Sequence, residues 1–203
     1  GSAILVDLQS AVTGPRFVSV TDVSTFFALL ALAAAAGSIA VVIAVILGGN
    51  AAASVRQTAL PLAAMVAVTA TLGSLYYSEI ADFIPCRLCW FQRIFMYPMA
   101  IVLPIAAFRR DFGIRIYMIA FPVIGLGISI YHYLVQRVPS LSEGGSCDAT
   151  APCSSAYVET FDFVTIPFMA GCGFLLIGVL LAATWRDGGT LTDGAVESER
   201  TGS

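Results

Sequence analysis

The run "VSTFFALLALAAAAGSIAVVIAVIL", residues 23–47, contains no charged residue. As a helix rising about 1.5 Å per residue, it is long enough to cross the roughly 30 Å hydrocarbon layer of a bilayer. A segment in lipid must satisfy its backbone N–H and C=O groups internally, which leaves helices or closed barrels. Four further apolar runs follow, at about 60–77, 86–108, 116–135 and 163–185. All are continuously apolar rather than alternating, which argues against a barrel. The chain reads as an all-α integral membrane protein with five candidate transmembrane helices. Pro98, Pro104, Pro122 and Pro167 fall inside these runs, where neighbouring helices can re-satisfy the carbonyls they free.

Charge agrees with this class. Only 11% of the 203 residues are charged, against about a quarter in a soluble domain. Every basic residue is an arginine and the net charge is −3, which argues against nucleic acid as a partner.

Arginine placement predicts orientation. "FRRDFGIR" carries Arg109, Arg110 and Arg115 between the third and fourth runs, which marks that loop as cytoplasmic. Arg56 and Arg186 then fall on the same side. The other face holds Asp7, Asp22, Glu79, Asp82, Glu143, Asp148, Glu159 and Asp162. The N-terminus is expected outside and the C-terminus inside. The first 22 residues lack a basic segment, apolar core and small-residue cleavage site in series, so no cleavable signal is expected. Residues 186–203 are polar and Gly/Thr-rich, the composition of a disordered tail.

Five cysteines remain to be explained. Cys86 and Cys89 form a CxxC, Cys147 and Cys153 lie in the second outer loop, and Cys172 sits alone in the fifth run. On an oxidising face either pair can persist as a disulfide. The loop pair reads equally well as a staple. So small a ring as the CxxC is a poor staple and a good redox couple. A four-cysteine zinc site would need all four thiols to converge, so no metal is expected. Cys172 reads as a small apolar side chain.

Helix context sharpens the CxxC. Pro85 marks a helix start, with Cys86 at or just before the first turn and Cys89 inside it. There the backbone N–H groups and the helix dipole favour a thiolate at Cys89. Arg93 follows Cys89 by four residues and shares its face. An arginine at membrane depth costs about 2.5–3.5 kcal/mol, so a cation beside a thiol suggests function. A thiol pair at the lipid edge needs an electron acceptor, and a lipid-soluble quinone is within reach. Arg93 and Gln92 could hydrogen-bond a quinone carbonyl, with Trp90, Phe91 and Phe95 flanking the ring.

"PCRLCWFQRIFMYP", "ISIYHYLVQ" and "APCSSAYVETFDFVTIPFMA" together resemble the bacterial disulfide-bond formation protein B (DsbB) family, in its Gram-positive-like, BdbC-type branch. The resemblance spans roughly residues 60–185. It implies a four-helix catalytic domain over 60–185, flanked by an extracytoplasmic segment (1–22), the extra helix (23–47) and the tail (186–203). It also implies a membrane thiol–quinone oxidoreductase that reoxidises a DsbA-like, thioredoxin-fold thiol oxidase. On that resemblance Cys147 would form the mixed disulfide with the partner, Cys153 would exchange with Cys86, and Cys89 would meet the quinone beside Arg93. Gln92 and His132 match positions near the quinone, and the branch points to menaquinone rather than ubiquinone. Two departures stand out: the extra first helix, and the close spacing of the loop pair.

Two rival readings remain. A vitamin K epoxide reductase-like enzyme would use the same chemistry, but its cysteine pairs come in the opposite order. A non-enzymatic scaffold would use the cysteines only as staples.

Overall fold

A computed structural model describes residues 19–138, 153–154 and 156–184. The elements are α1 (Val20–Leu47), α2 (Gly49–Leu75), α3 (Arg87–Arg109), a short α4 (Arg115–Met118), α5 (Ala120–Arg137), β1 (Glu159–Thr160), β2 (Val164–Thr165) and α6 (Ile166–Ala183). Among the described residues, α1, α2, α3 and α6 are each long and apolar enough to span a membrane; α4 and α5, bent by 40°, make a fifth span together. The protein is a multi-pass, all-α membrane protein.

α1 opens on a capping box, with the Ser19 hydroxyl and the Asp22 carboxylate each satisfying the other's backbone N–H. α1 and α2 are joined by Gly48 and Gly49, at φ 71° and 63°. Two successive left-handed residues suit glycine, which has no Cβ to clash. The second helix therefore begins at Gly49 and carries Arg56 on its own turns, whereas the apolar run suggested a start near residue 60. Hydropathy marks the lipid-matched stretch, and a helix continues beyond that stretch as long as its backbone bonds do. The last span begins at Ile166 rather than 163, because residues 159–165 form a small antiparallel hairpin.

The core packs small residues against large ones. Ala59, Ala63 and Ala67 recur every four residues on α2 and meet Met99 and Leu103 of α3 and Ile177 of α6. Lipid is as apolar as leucine, so close packing rather than water exclusion holds such helices together. Gly125 of α5 likewise admits the Phe174 ring of α6, which an added Cβ would strike. Large apolar side chains such as Ile39, Ile46, Ile101 and Ile116 stay exposed, as a lipid-facing surface requires.

At the end of the bundle opposite the Arg109–Arg115 turn, α2 widens into a π-helical turn, Tyr76–Ile80. The chain then passes Asp82 at φ 54° and runs without helix or strand to Cys86. This connector delivers the cysteines to the start of α3.

Candidate functional site

Cys86 is the N-cap of α3, extended at φ −69° and ψ 171°. Its sulfur accepts from the backbone N–H of Cys89 at 3.4 Å, the bond that an N-cap side chain makes to the third helical residue. The two sulfurs are free and lie 3.0 Å apart. His132 of α5, 1% exposed, brings Nε2 to 3.5 Å from the Cys86 sulfur. These contacts hold the Cys86 thiol well below the usual thiol range: the Cys89 thiol acts most strongly, the His132 hydrogen bond assists, and burial opposes. The helix-end stabilisation expected at Cys89 thus falls on Cys86. An N-cap side chain folds back over the first turn, whereas a residue within that turn points away from its own helix's N–H groups.

From Cys89 the helix turns toward a cavity of about 440 Å³ bounded by α1, α2, α3 and α6. Cys89, Gln92, Arg93, Met96 and Tyr97 line it, the positions i, i+3, i+4, i+7 and i+8 of one helical face. Arg93 is clamped to α2: Nε donates to the Ser74 hydroxyl and Nη2 to the Ser74 carbonyl, each at 3.0 Å. The Tyr97 hydroxyl also donates to the Ser74 hydroxyl oxygen, at 3.2 Å. The guanidinium keeps further N–H donors for an occupant. Gln92, 6% exposed, donates to Ser129 of α5 at 2.9 Å. Three stacked rings stand at this end of the cavity: Tyr77 on Phe83 at 5.8 Å, and Phe83 on Tyr157 at 5.2 Å.

The structure therefore divides the residues singled out in the sequence. Cys89, Gln92 and Arg93 meet at the cavity. His132 instead meets Cys86. Trp90 and Phe91 are 54% and 42% exposed and do not line the cavity, because one and two residues beyond Cys89 the helix has turned away. Trp90 stands beside Arg93, with the guanidinium carbon 5.4 Å from its ring centroid. Ser74, Ser129 and the three stacked rings had no motif. The aromatic, hydroxyl-rich "SLYYS" at the end of the second apolar run was the available signal, since tyrosines gather at membrane interfaces.

Cys153 is disulfide-bonded and 1% exposed. It packs in one small cluster with Cys86, Cys89, Leu88 and Val135. Cys147 lies outside the described residues. Beyond Cys153, the hairpin is tied to the end of α5. Arg137 pairs with Glu159 at 2.9 Å and donates to the Asp162 carbonyl at 2.8 Å, and the Tyr133 hydroxyl donates to the Phe163 carbonyl.

Cys86, Cys89 and His132 also form a potential donor set, with their ligand atoms within 4.8 Å of one another. Tetrahedral zinc with bonds of about 2.3 Å would hold two thiolates roughly 3.7 Å apart. The pair at 3.0 Å would have to spread to hold it. At this separation the two sulfurs are in direct contact, as a CxxC redox pair requires.

The site lies within a stretch that matches a known family. Residues 56–184 match the family described as Disulfide bond formation protein DsbB. Disulfide bond formation protein C of Bacillus subtilis (strain 168) is 49% identical over 117 residues, covering 58% of this chain and 85% of that protein. A probable disulfide formation protein of Oceanobacillus iheyensis is 45% identical over 124 residues, covering 61% and 86%. Another, from Deinococcus radiodurans, is 43% identical over 135 residues, covering 63% and 88%. No solved structure matches. The matched region holds the CxxC, Arg93, His132 and the second cysteine loop, and the chain belongs to the DsbB family of membrane disulfide-bond formation proteins.

Proposed function

We propose that the protein is a thiol–quinone oxidoreductase, which takes electrons from an extracytoplasmic thioredoxin-fold thiol oxidase and passes them through two cysteine pairs to a membrane quinone. One observation carries this reading. The CxxC touches the disulfide-bonded Cys153 on one side, and through Cys89 it lines the Arg93 cavity on the other. The cavity fits a flat apolar acceptor. Its volume lies within the roughly 300–1,000 Å³ of small-molecule sites, its walls are mostly apolar, and Arg93 and Gln92 stand beside Cys89.

The exchange begins when a partner thiolate attacks the Cys147–Cys153 disulfide. The partner leaves as its own disulfide, with Cys147 and Cys153 reduced. Cys153 then attacks Cys86 of the oxidised CxxC and frees Cys89 as a thiolate. Attack by Cys147 on Cys153 re-forms the loop disulfide and expels Cys86. A low-pKa thiol leaves faster, so the His132 contact, which helps depress the Cys86 pKa, assists this departure. Two electrons and two protons then pass from the Cys86–Cys89 pair to the quinone, giving quinol and a closed CxxC disulfide. Arg93, fixed by Ser74, stabilises the negative charge that develops on a quinone oxygen. The cysteines face the extracytoplasmic side, since Arg109, Arg110 and Arg115 mark the opposite end as cytoplasmic.

Arg93→Ala tests the site assignment. With a reduced thioredoxin-like partner and a soluble quinone, the KM for quinone should rise more than the KM for the partner. An unchanged quinone KM removes Arg93 from the acceptor site.

A further inference from the structure

We propose that α1, which precedes the family-matched residues 56–184, is a wall of the acceptor cavity and determines which quinones are admitted. This rests on the quinone reading above and deepens it.

Phe27, Leu30, Ala31 and Ala34 of α1 all line the cavity that holds Cys89 and Arg93. They fall at i, i+3, i+4 and i+7, one continuous face of the helix. Two contacts register that face. The Tyr77 hydroxyl donates to the Ser24 hydroxyl at 3.1 Å, with both residues buried. The Phe27 ring lies over Gly73, where an ideal Cβ would stand 2.8 Å from its Cε1. Glycine at 73 therefore lets Phe27 close over the residue next to Ser74, the clamp of Arg93.

The entrance points to lipid. Leu30 of α1 and Met65 of α2 both line the cavity while remaining 38% and 58% exposed. They form two lips of an opening on the membrane-facing side. A quinone ring entering between them would reach Arg93, and its isoprenoid chain would leave past the same pair. The small side chains of Ala31 and Ala34 leave the volume that the ring would occupy. The thiol-exchange cluster of Cys86, Cys153 and Val135 includes no residue of α1. Changes in α1 should therefore alter how acceptors are handled and leave thiol exchange alone.

The test is Ala34→Phe in the full chain, compared with Ile43→Phe, whose side chain is half exposed and lies away from the cavity. Two quantities are read: the KM for a short-chain soluble quinone, and the rate at which a reduced thioredoxin-like partner reduces the protein without quinone. Filling the cavity should raise the quinone KM about tenfold or more, with the thiol rate within about twofold of wild type and Ile43→Phe unchanged in both. An unchanged KM in Ala34→Phe with normal thiol exchange overturns the role of α1. Wild-type protein that exchanges thiols yet consumes no quinone overturns the acceptor reading instead. If Ala34→Phe loses thiol exchange and so fails to fold, Leu30→Ala decides. It should shift the KM ratio between a tail-less and a prenylated quinone by about threefold or more, and an unshifted ratio overturns the proposal.

Discussion

His132 Nε2 meets the Cys86 sulfur at 3.5 Å, joining α5 to the cap of α3 across 46 residues of sequence. Nδ1 of the same ring is buried with no hydrogen-bond partner among the described residues, so Nε2 is the nitrogen through which this histidine acts. It donates when Cys86 is ionised.

The direction of the resulting pH effect follows. A lowered thiol pKa means that the thiolate persists to lower pH, so Cys86 should be alkylated in mildly acidic solution where an ordinary thiol is not. Cys89→Ala removes the largest cause and His132→Gln a smaller one. Both should move the alkylation profile of the Cys86 peptide toward alkaline pH, Cys89→Ala the further. Mass spectrometry of iodoacetamide-treated reduced protein reads the profile directly. A His132→Gln profile that coincides with wild type would deny the histidine any effect on the sulfur.

Ser74→Ala tests the clamp. It deletes the acceptor used by Arg93 Nε and the Tyr97 hydroxyl but keeps the carbonyl that holds Nη2. A charge-assisted hydrogen bond contributes about 1.5–3 kcal/mol. The quinone KM should therefore rise by roughly tenfold, and less than in Arg93→Ala. Steady-state kinetics with varied quinone would detect this, and an effect on the partner KM alone would contradict it.

Gly125→Ala tests the packing of the helices that carry His132. Any Cβ at 125 strikes the Phe174 ring, which is 1% exposed. Overpacking of this kind costs about 1–3 kcal/mol. Thermal unfolding in detergent should show a lower midpoint, and an unchanged one would mean that Phe174 moves aside freely.

Glu159→Gln should do little. The Arg137–Glu159 pair is 36% and 44% exposed, where water and salt screen the attraction. Arg137 also keeps the Asp162 carbonyl. A large loss of stability on the same unfolding measurement would show that the hairpin depends on this carboxylate.

The parts of the site set by local periodicity were legible in the sequence. Pro85 and the CxxC spacing put Cys86 at the helix start, and the i+4 relation put Arg93 beneath Cys89. The same periodicity favours Gln92 over Trp90 and Phe91, a distinction that the choice of aromatic flanks passed over. Contacts between distant helices were not legible. Neither Ser74 with Arg93 nor His132 with Cys86 has a sequence spacing that announces it. The role of α1 was hidden for a different reason. It is apolar on all sides, as suits a membrane span, so no polar face reveals which side meets the bundle. The start of α2 at Gly49 was missed because hydropathy follows lipid and not the helix itself.

In the proposed reaction, electrons from protein thiols leave through Cys89 into a quinone. The direct measurement is the number of quinones reduced for each partner disulfide formed, in wild type and in Cys89→Ser. One quinone per disulfide is expected in wild type, and no sustained consumption in Cys89→Ser. Partner oxidation without quinone loss, or wild-type consumption by Cys89→Ser, would contradict it.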